Sequence, residues 1–270
     1  MPKIFDSHTH VQFPQFDQDR AEVIKRAFNQ KIWMINAGAD SKSSQQAVEL
    51  AEKYPQGIYA AVGQHPTERE EFNYEFYKNL AINPKVVAIG ECGLEYYKRP
   101  PEDPISEDNK QIQKNTFINH IKLANDVQKP LIIHCRAESD YPVQRGGANA
   151  FDDLIEILAN HPLNNPPGII HFFTGTKGNA EKLLRLGFYF TFGGLITFNR
   201  SFDEIIKIIP FEKILLETDA PYVSPEPYRG KRNEPAYIIE VAKKMAEIKN
   251  ISFEEVCLAT TANAQKVFNI

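Results

Sequence analysis

Six side chains able to bind a metal ion each follow a short apolar run in the sequence. They are His8, His10, Glu91, His134, His171 and Asp219. A spacing of two residues places the imidazoles of His8 and His10 on the same side of an extended segment. Burying four imidazoles and two carboxylates together without a cation costs several kcal/mol in desolvation and repulsion. The residue types therefore predict a metal centre, provided that the fold brings the six together.

The donor set favours two metal ions and hydrolytic chemistry. Imidazole and carboxylate together suit zinc, manganese, iron or nickel better than calcium, and magnesium is less natural with four imidazoles. Six ligands are too many for one catalytic ion with an open position, but they suit two divalent ions that share a carboxylate. Two ions about 3.5 to 4 Å apart can hold a bridging hydroxide as nucleophile and polarise the attacked oxygen. Each residue alone also allows a structural role: a hydrogen-bonded histidine, a turn at Asp219, or an ion pair between Glu91 and an arginine.

The elements that must position these residues alternate regularly along the chain. The apolar runs, taken as strands, are 3–5, 32–35, 57–62, 86–89, 130–133, 168–170, 188–192 and 213–216. The helical stretches are 18–29, 43–54, 73–80, 107–127, 150–160, 179–186, 202–208, 235–249 and 252–267. Nearly all-apolar strands between helices imply a covered parallel sheet, and eight such units predict a closed (β/α)₈ barrel of the TIM type with an extra C-terminal helix. In that barrel, the six side chains gather at the carboxyl ends of the strands, where barrel enzymes keep their active sites.

The alternative architecture is an open, doubly wound sheet. Such a sheet usually carries a glycine-rich phosphate loop after its first strand, whereas here that strand runs straight into residues 6–10, DSHTH. No long linker divides the chain, so we expect one domain over residues 1–270. Residues 98–108 are expected to form a solvated loop, and residues 138–149 a mobile loop above the fifth strand.

Composition excludes several classes of protein. The chain has 270 residues, a net charge of −4, 42% hydrophobic and 24% charged residues, which is ordinary for a globular protein. Mild acidity argues against a general nucleic-acid-coating protein. No apolar run reaches the roughly 18 residues of a membrane span, and the start lacks the apolar stretch of a signal peptide. Three cysteines without CxxC spacing indicate neither a disulfide framework nor a zinc knuckle. We expect a cytoplasmic protein, or a nuclear one in a eukaryote, without an obligate protein partner.

Seven blocks of sequence carry a family resemblance. They are DSHTH (6–10), GQHP (63–66), GECGLEYY (90–97), IHCRA (133–137), HFFTG (171–175), LETDAPY (216–222) and RGKRNEP (229–235). In this order they resemble the signature blocks of the TatD family of metal-dependent deoxyribonucleases, over essentially the whole chain. The resemblance implies a distorted (β/α)₈ barrel of the amidohydrolase type and a DNase with 3′-5′ exonuclease or endonuclease activity. The sequence departs from the family at Glu95, where Asp is usual, and at Phe172 and Thr174, where Cys and Ser are frequent.

The resemblance also assigns roles to the ligands. His8 and His10 would hold one metal, His134 and His171 the other, Glu91 would bridge the two, and Asp219 would complete the first site. Asp219 is then our candidate general base, and Glu91 contributes its charge to catalysis.

Contacts with substrate are predicted at four further residues, with DNA as the substrate, bound as a short single strand or a 3′ end. Arg229 and Lys231 form a basic cluster after the eighth strand, although a solvated loop would look the same. Arg136 is a second candidate, with an ion pair to Glu138 or Asp140 as its alternative. His65 could donate to a phosphate oxygen or could support a ligand.

Two other functions stay open at this point. Amidohydrolases of the wider superfamily cleave esters or C–N bonds, and relatives of this family are linked to D-aminoacyl-tRNA deacylation. Many amidohydrolases bridge their metals with a carboxylated lysine after the fourth strand, so Glu91 there favours the nuclease. The second open function is that of a barrel that binds nucleic acid or protein without turnover and holds metal only for structural reasons. His120 and His161 lie outside the predicted site, and we expect both to be exposed.

Overall fold

The structure is a computed structural model that describes residues 2–97, 105–137 and 150–270. The predicted mobile loop 138–149 and most of the predicted solvated loop 98–108 lie outside these residues. Within the described part of the chain, no helix is both long and apolar enough to cross a membrane.

Eight parallel strands form a closed barrel in sequence order, as predicted. They are β1 (Ile4–Thr9), β2 (Ile32–Ala37), β3 (Ile58–Val62), β4 (Val86–Glu95), β5 (Leu131–Arg136), β6 (Gly168–Ile170), β7 (Tyr189–Phe192) and β8 (Ile214–Leu216). The helices are α1 (Arg20–Asn29), α2 (Ser41–Glu52), α3 (Tyr74–Ala81), α4 (Glu107–Val127), α5 (Ala150–Asn160), α6 (Lys177–Arg185), α7 (Asp203–Ile208), α8 (Ile238–Lys249) and α9 (Phe253–Phe268). The barrel is distorted: β1 and β8 pair only through Asp6 and Leu216, and the register shifts within the β1/β2, β3/β4 and β4/β5 pairs.

The barrel interior is an apolar plug that closes at the amino-terminal end of the strands. One buried cluster takes residues from all eight strands and from α9 alone among the helices. Its members are Phe5, Ile35, Ala37, Ala61, Val87, Ala88, Ile132, Ile169, Tyr189, Leu215, Ala264, Val267 and Phe268. The alternate strand residues pack under the outer helices, as the two-residue period of a strand requires. The predicted C-terminal helix therefore seals the barrel bottom, and its start is fixed by a capping box of Ser252 and Glu255.

The same period places the metal-capable residues above this plug. His134 stands two residues after the interior residue Ile132, and His171 stands two residues after Ile169. Because side chains two apart on a strand share a face, both imidazoles enter the barrel at its carboxyl-terminal end.

Strands β4 and β5 approach closely beside this layer because β4 carries glycine there. Gly93 has φ +133°, and a Cβ atom at this position would lie 2.0 Å from the carbonyl oxygen of His134. Only glycine fits both the conformation and the space. The close approach brings Glu91 of β4 beside His134 of β5, with 3.0 Å between Glu91 Oε1 and His134 Nδ1.

The expectation that His120 is exposed is wrong, whereas His161 is partly exposed. His120 is fully buried because it lies on the same stripe of α4 as the buried Phe117 and Ala124. Its Nε2 atom accepts a hydrogen bond from the backbone N–H of Gln64 at 3.0 Å. Burial lowers the pKa of His120 to about 4, so the imidazole is neutral in the folded protein.

Candidate metal centre

Glu91 lies at the centre of the predicted ligands, and its two carboxylate oxygens face different histidines. The side chain is buried, and Glu91 Oε2 lies 3.4 Å from His8 Nε2 and 3.6 Å from His10 Nε2. Asp219 Oδ1 lies 3.6 Å from His8 Nε2 and 3.4 Å from His10 Nε2. The structure thus brings these four residues together at one point.

The other oxygen of Glu91 faces the second group of imidazoles. Glu91 Oε1 lies 3.0 Å from His134 Nδ1 and 3.3 Å from His171 Nε2. His65 Nε2, predicted as a substrate contact, lies 3.5 Å from the same oxygen. His65, Glu91 and His134 form a group whose ligand atoms lie within 4.8 Å of one another. The structure therefore places His65 beside the predicted ligands, close enough to contact the same carboxylate.

These donor atoms fit a divalent cation better than they fit one another. His8 Nε2 and His10 Nε2 lie only 3.0 Å apart, although two neutral imidazole nitrogens can share at most one proton. Both face the carboxylates of Glu91 and Asp219, so nitrogen lone pairs and negative oxygens converge on one space. His10 Nδ1 lies 2.8 Å from the carbonyl oxygen of Ala37, which holds the ring with Nε2 turned to the cluster. This geometry suits a metal ligand set.

The protonation of His134 and His171 follows from the same contacts. Burial lowers the pKa of His134, but Glu91 and Glu95 outweigh it and raise the pKa to about 9. Burial also lowers the pKa of His171, yet the charges of Glu217 and Glu91 bring it well above its ordinary value. Metal ligands must be deprotonated, so a bound cation would displace these protons.

Glu217 supports His171, and sequence reasoning missed that role. Its fully buried carboxylate lies 3.1 Å from His171 Nδ1 and accepts hydrogen bonds from Thr191 Oγ1 at 2.6 Å and the Phe172 N–H at 2.7 Å. A carboxylate behind a ligand histidine fixes the ring and raises its basicity. The available signal was its place two residues after Leu215, which faces the barrel interior.

Glu95 supports His134 in the same way. Glu95 Oε2 lies 3.1 Å from His134 Nε2, and Gln113 binds the backbone of Glu95 through two hydrogen bonds of 2.9 and 3.0 Å. The resemblance described above implies the shorter Asp at this position, and the longer Glu reaches the imidazole here. With Glu95 at this position, the imidazole of His134 still has a carboxylate on its Nε2 side, opposite Glu91 on its Nδ1 side.

Asp219 is placed differently from the other carboxylates. It has φ +55°, in the left-handed region that Asp tolerates better than most residues, and its N–H donates to the carbonyl oxygen of His8 at 2.9 Å. Its side chain is 16% exposed against 6% for Glu91. Burial raises the pKa of Asp219. The hydrogen bond from His10 and the charges of His171 and His8 lower it by more, so the pKa lies below its ordinary value. Asp219 is therefore an ionised carboxylate at the edge of the cluster, open to the cavity.

A cavity of about 620 Å³ opens above the cluster. It is lined by His10, Phe13, Ala39, Asp40, His65, Thr67, Glu68, Glu91, His134, Cys135, Arg136, His171, Phe172, Thr174, Leu195, Asp219, Tyr222 and Val223. Arg136 lines the cavity with its guanidinium 3.9 Å above the ring of Tyr97. Arg229 and Lys231 are not among the described lining residues: Arg229 stacks on Phe198 at 3.8 Å and donates to the carbonyl oxygen of Ser224. Of the four predicted substrate contacts, the fold brings His65 and Arg136 to the cavity.

Comparison with known proteins shows the family to which the chain belongs. A family profile described as TatD-related DNase matches residues 5–269. The uncharacterized metal-dependent hydrolase YabD of Bacillus subtilis is 39% identical over 274 residues, covering 99% of both chains. The 3′-5′ ssDNA/RNA exonuclease TatD of Citrobacter rodentium is 31% identical over 279 residues, covering 99% of this chain and 98% of that protein. The crystal structure of YjjV, a TatD homologue from Escherichia coli K12, superposes with a TM-score of 0.86 at 28% identity, covering 99% and 98% of the two chains. The chain therefore belongs to the TatD-related family of metal-dependent hydrolases.

Proposed function

We propose that this protein hydrolyses phosphodiester bonds of DNA with two divalent metal ions, as a 3′-5′ exonuclease, an endonuclease or both. One observation carries the proposal: the two oxygens of Glu91 face two separate groups of imidazoles at the mouth of an open cavity. The relative from Citrobacter rodentium, whose name describes an exonuclease on single-stranded DNA and RNA, supports nucleic acid as the substrate class.

The proposed ligand assignment follows the contacts. His8, His10 and Asp219 hold one ion, His134 and His171 hold the other, and Glu91 is shared. Two ions held there would supply Lewis-acid polarisation of the phosphoryl group and would lower the pKa of the attacking water.

Asp219 is the proposed general base. It is ionised, it is more exposed than Glu91, and it lines the cavity where substrate enters. Its carboxylate accepts the proton of the attacking water, a role worth roughly 10²- to 10⁴-fold in rate. Arg136 and His65, both on the cavity wall, are proposed to hold the phosphate. Arg229 and Lys231 are proposed to contact the strand farther from the reacting phosphate.

A panel of substrates tests the reaction class. Purified protein is assayed with manganese or zinc, and with EDTA, on single-stranded DNA, a phosphodiester dye ester and an aminoacyl ester. We expect metal-dependent cleavage of the first two, and a fall of at least about 10²-fold in the rate of Asp219→Asn. Asp108→Asn, an exposed substitution on α4, serves as the control and keeps the full rate.

The other results of this panel are equally decisive. Turnover of the aminoacyl ester with DNA left intact identifies a deacylase instead. Two equivalents of bound metal with every substrate left intact identify a binding protein.

A further inference from the structure

The cavity is divided into an apolar half and an acidic half. Phe13, Phe172, Leu195 and Tyr222 follow β1, β6, β7 and β8, which are consecutive in the closed barrel. Asp40 and Glu68 follow β2 and β3 on the other side. A substrate at the metal centre therefore meets aromatic rings on one side and carboxylates on the other.

Tyr222 is the aromatic side chain of the apolar half with the most open surface. Phe13 already stacks on His10, with ring centroids 4.4 Å apart at 14°. Phe172 packs on Gly193, where an added Cβ would lie 3.1 Å from the ring. Tyr222 is 47% exposed, and its ring meets His10 edge-on at 6.3 Å and 69°. A ring face beside the metal ligands is thus available to a flat partner.

The backbone of Tyr222 is fixed to the proposed general base. Its N–H donates to the carbonyl oxygen of Asp219 at 2.9 Å. The buried side chain of Asn233 donates to the carbonyl oxygens of Tyr222 at 2.7 Å and Thr218 at 2.8 Å. A tyrosine held in this way loses little conformational entropy when a ligand stacks on it.

We infer that Tyr222 is the stacking platform for an unpaired nucleobase next to the phosphodiester that is cut; this inference rests on the proposed function. The acidic half repels a further phosphate, so the strand turns its uncharged base toward Tyr222. A cavity of about 620 Å³ has the size of a site for a drug-sized ligand. It therefore admits one or two unpaired nucleotides, and base stacking on an aromatic ring tolerates any base.

The test compares enzyme variants on strands with and without a base. Four-nucleotide DNA strands carry either a normal or an abasic residue at the last or the second-last position. At one of the two positions, we expect the wild-type KM for the base-containing strand to be about 5- to 150-fold lower than the KM for the abasic strand. In Tyr222→Ala this ratio falls toward one, and in Tyr222→Phe it is kept. Tyr74→Ala, on α3 outside the cavity lining, keeps the wild-type ratio as the control.

A second measurement reports stacking without turnover. 2-Aminopurine is placed at the same position of the strand, and its fluorescence is followed on binding to Asp219→Asn protein in a buffer that contains manganese. We expect binding to quench the fluorescence, and we expect this quenching to disappear in the double variant that also carries Tyr222→Ala. If the wild type cleaves the strand but 2-aminopurine is not quenched, the platform is overturned and the proposed nuclease stands. The same holds if Tyr222→Ala raises KM equally for base-containing and abasic strands. Tyr222-dependent quenching without cleavage by the wild type keeps the platform and rejects the nuclease.

Discussion

Replacing Glu91 by Gln removes one negative charge from the centre of the site and keeps the shape of the side chain. The carboxylate lies 3.0 to 3.6 Å from the nearest nitrogens of His134 and His10. At these distances, two unit charges interact by about 5 kcal/mol at an effective dielectric constant of about 20. Desolvation of the buried carboxylate offsets part of this energy. We therefore expect Glu91→Gln to lose one of two metal ions and at least about 2.7 kcal/mol of transition-state stabilisation, or about 10²-fold in rate.

The assay pairs metal analysis with cleavage of single-stranded DNA. Metal content is measured on wild-type and Glu91→Gln protein after equal loading and gel filtration, and circular dichroism checks the fold. Glu95→Gln changes a carboxylate that lies 3.1 Å from His134 Nε2, the nitrogen that faces away from Glu91, and that also accepts the N–H of Tyr97 at 2.9 Å. We expect the metal affinity or the activity of this variant to fall by about 10- to 100-fold. Glu49→Gln, an exposed residue of α2, leaves both quantities at the wild-type level.

Two results refute the reasoning. Glu91→Gln with two equivalents of metal and the wild-type rate shows that the carboxylate is not shared. If Glu95→Gln loses more metal or more activity than Glu91→Gln, the charge of Glu91 is not the dominant one in the site.

Three further substitutions test the surroundings of the site. Glu217→Gln removes the negative charge beside His171 Nδ1, and we expect a roughly 10- to 100-fold lower metal affinity, measured by competition with a chelator. An unchanged metal affinity would contradict this. Gly93→Ala forces a Cβ into a backbone carbonyl, and it lowers the Tm by roughly 6 °C or more, about 3 kcal/mol; Gly178→Ala in α6, which meets only Thr176 Oγ1 at 3.8 Å, does not lower it. The pKa of His120 falls from 6.5 to about 4 on folding, so the unfolded chain binds the extra proton and stability falls by up to about 3 kcal/mol as pH drops from about 6.5 to 4. Urea titrations of His120→Gln across this range are expected to show a shallower pH dependence than the wild type, and parallel curves contradict that.

The strands and most of the helices were predictable because their signal is local. An apolar run of β-branched residues or an amphipathic period is readable within about ten residues, and eight alternations leave few topologies. The same locality explains the error at His120, where the stripe of Phe117 and Ala124 on α4 was present in the sequence. Strand β4 extends six residues beyond the predicted run 86–89 because Gly90 and Gly93 interrupt the apolar signal but suit the close approach to β5.

The surroundings of the ligands were not predictable in the same way. Whether His65 reaches Glu91, or Glu95 reaches His134, depends on strand register to within one residue. The register shifts in the β3/β4 and β4/β5 pairs are set by packing around the whole barrel. Arg229 sits on Phe198 because of how the segment after β8 folds back, and no spacing in the sequence indicates that contact.

By itself, the sequence determined the barrel and the chemical types gathered at its mouth, since periodicity and donor chemistry are properties of short segments. The tertiary structure decided which donors face which oxygen of Glu91, which carboxylates stand behind the histidines, and which aromatic ring is left open to substrate. These relations join residues far apart in the chain at distances of 3 to 4 Å. Only the closed barrel, with its particular register, brings such residues to those distances.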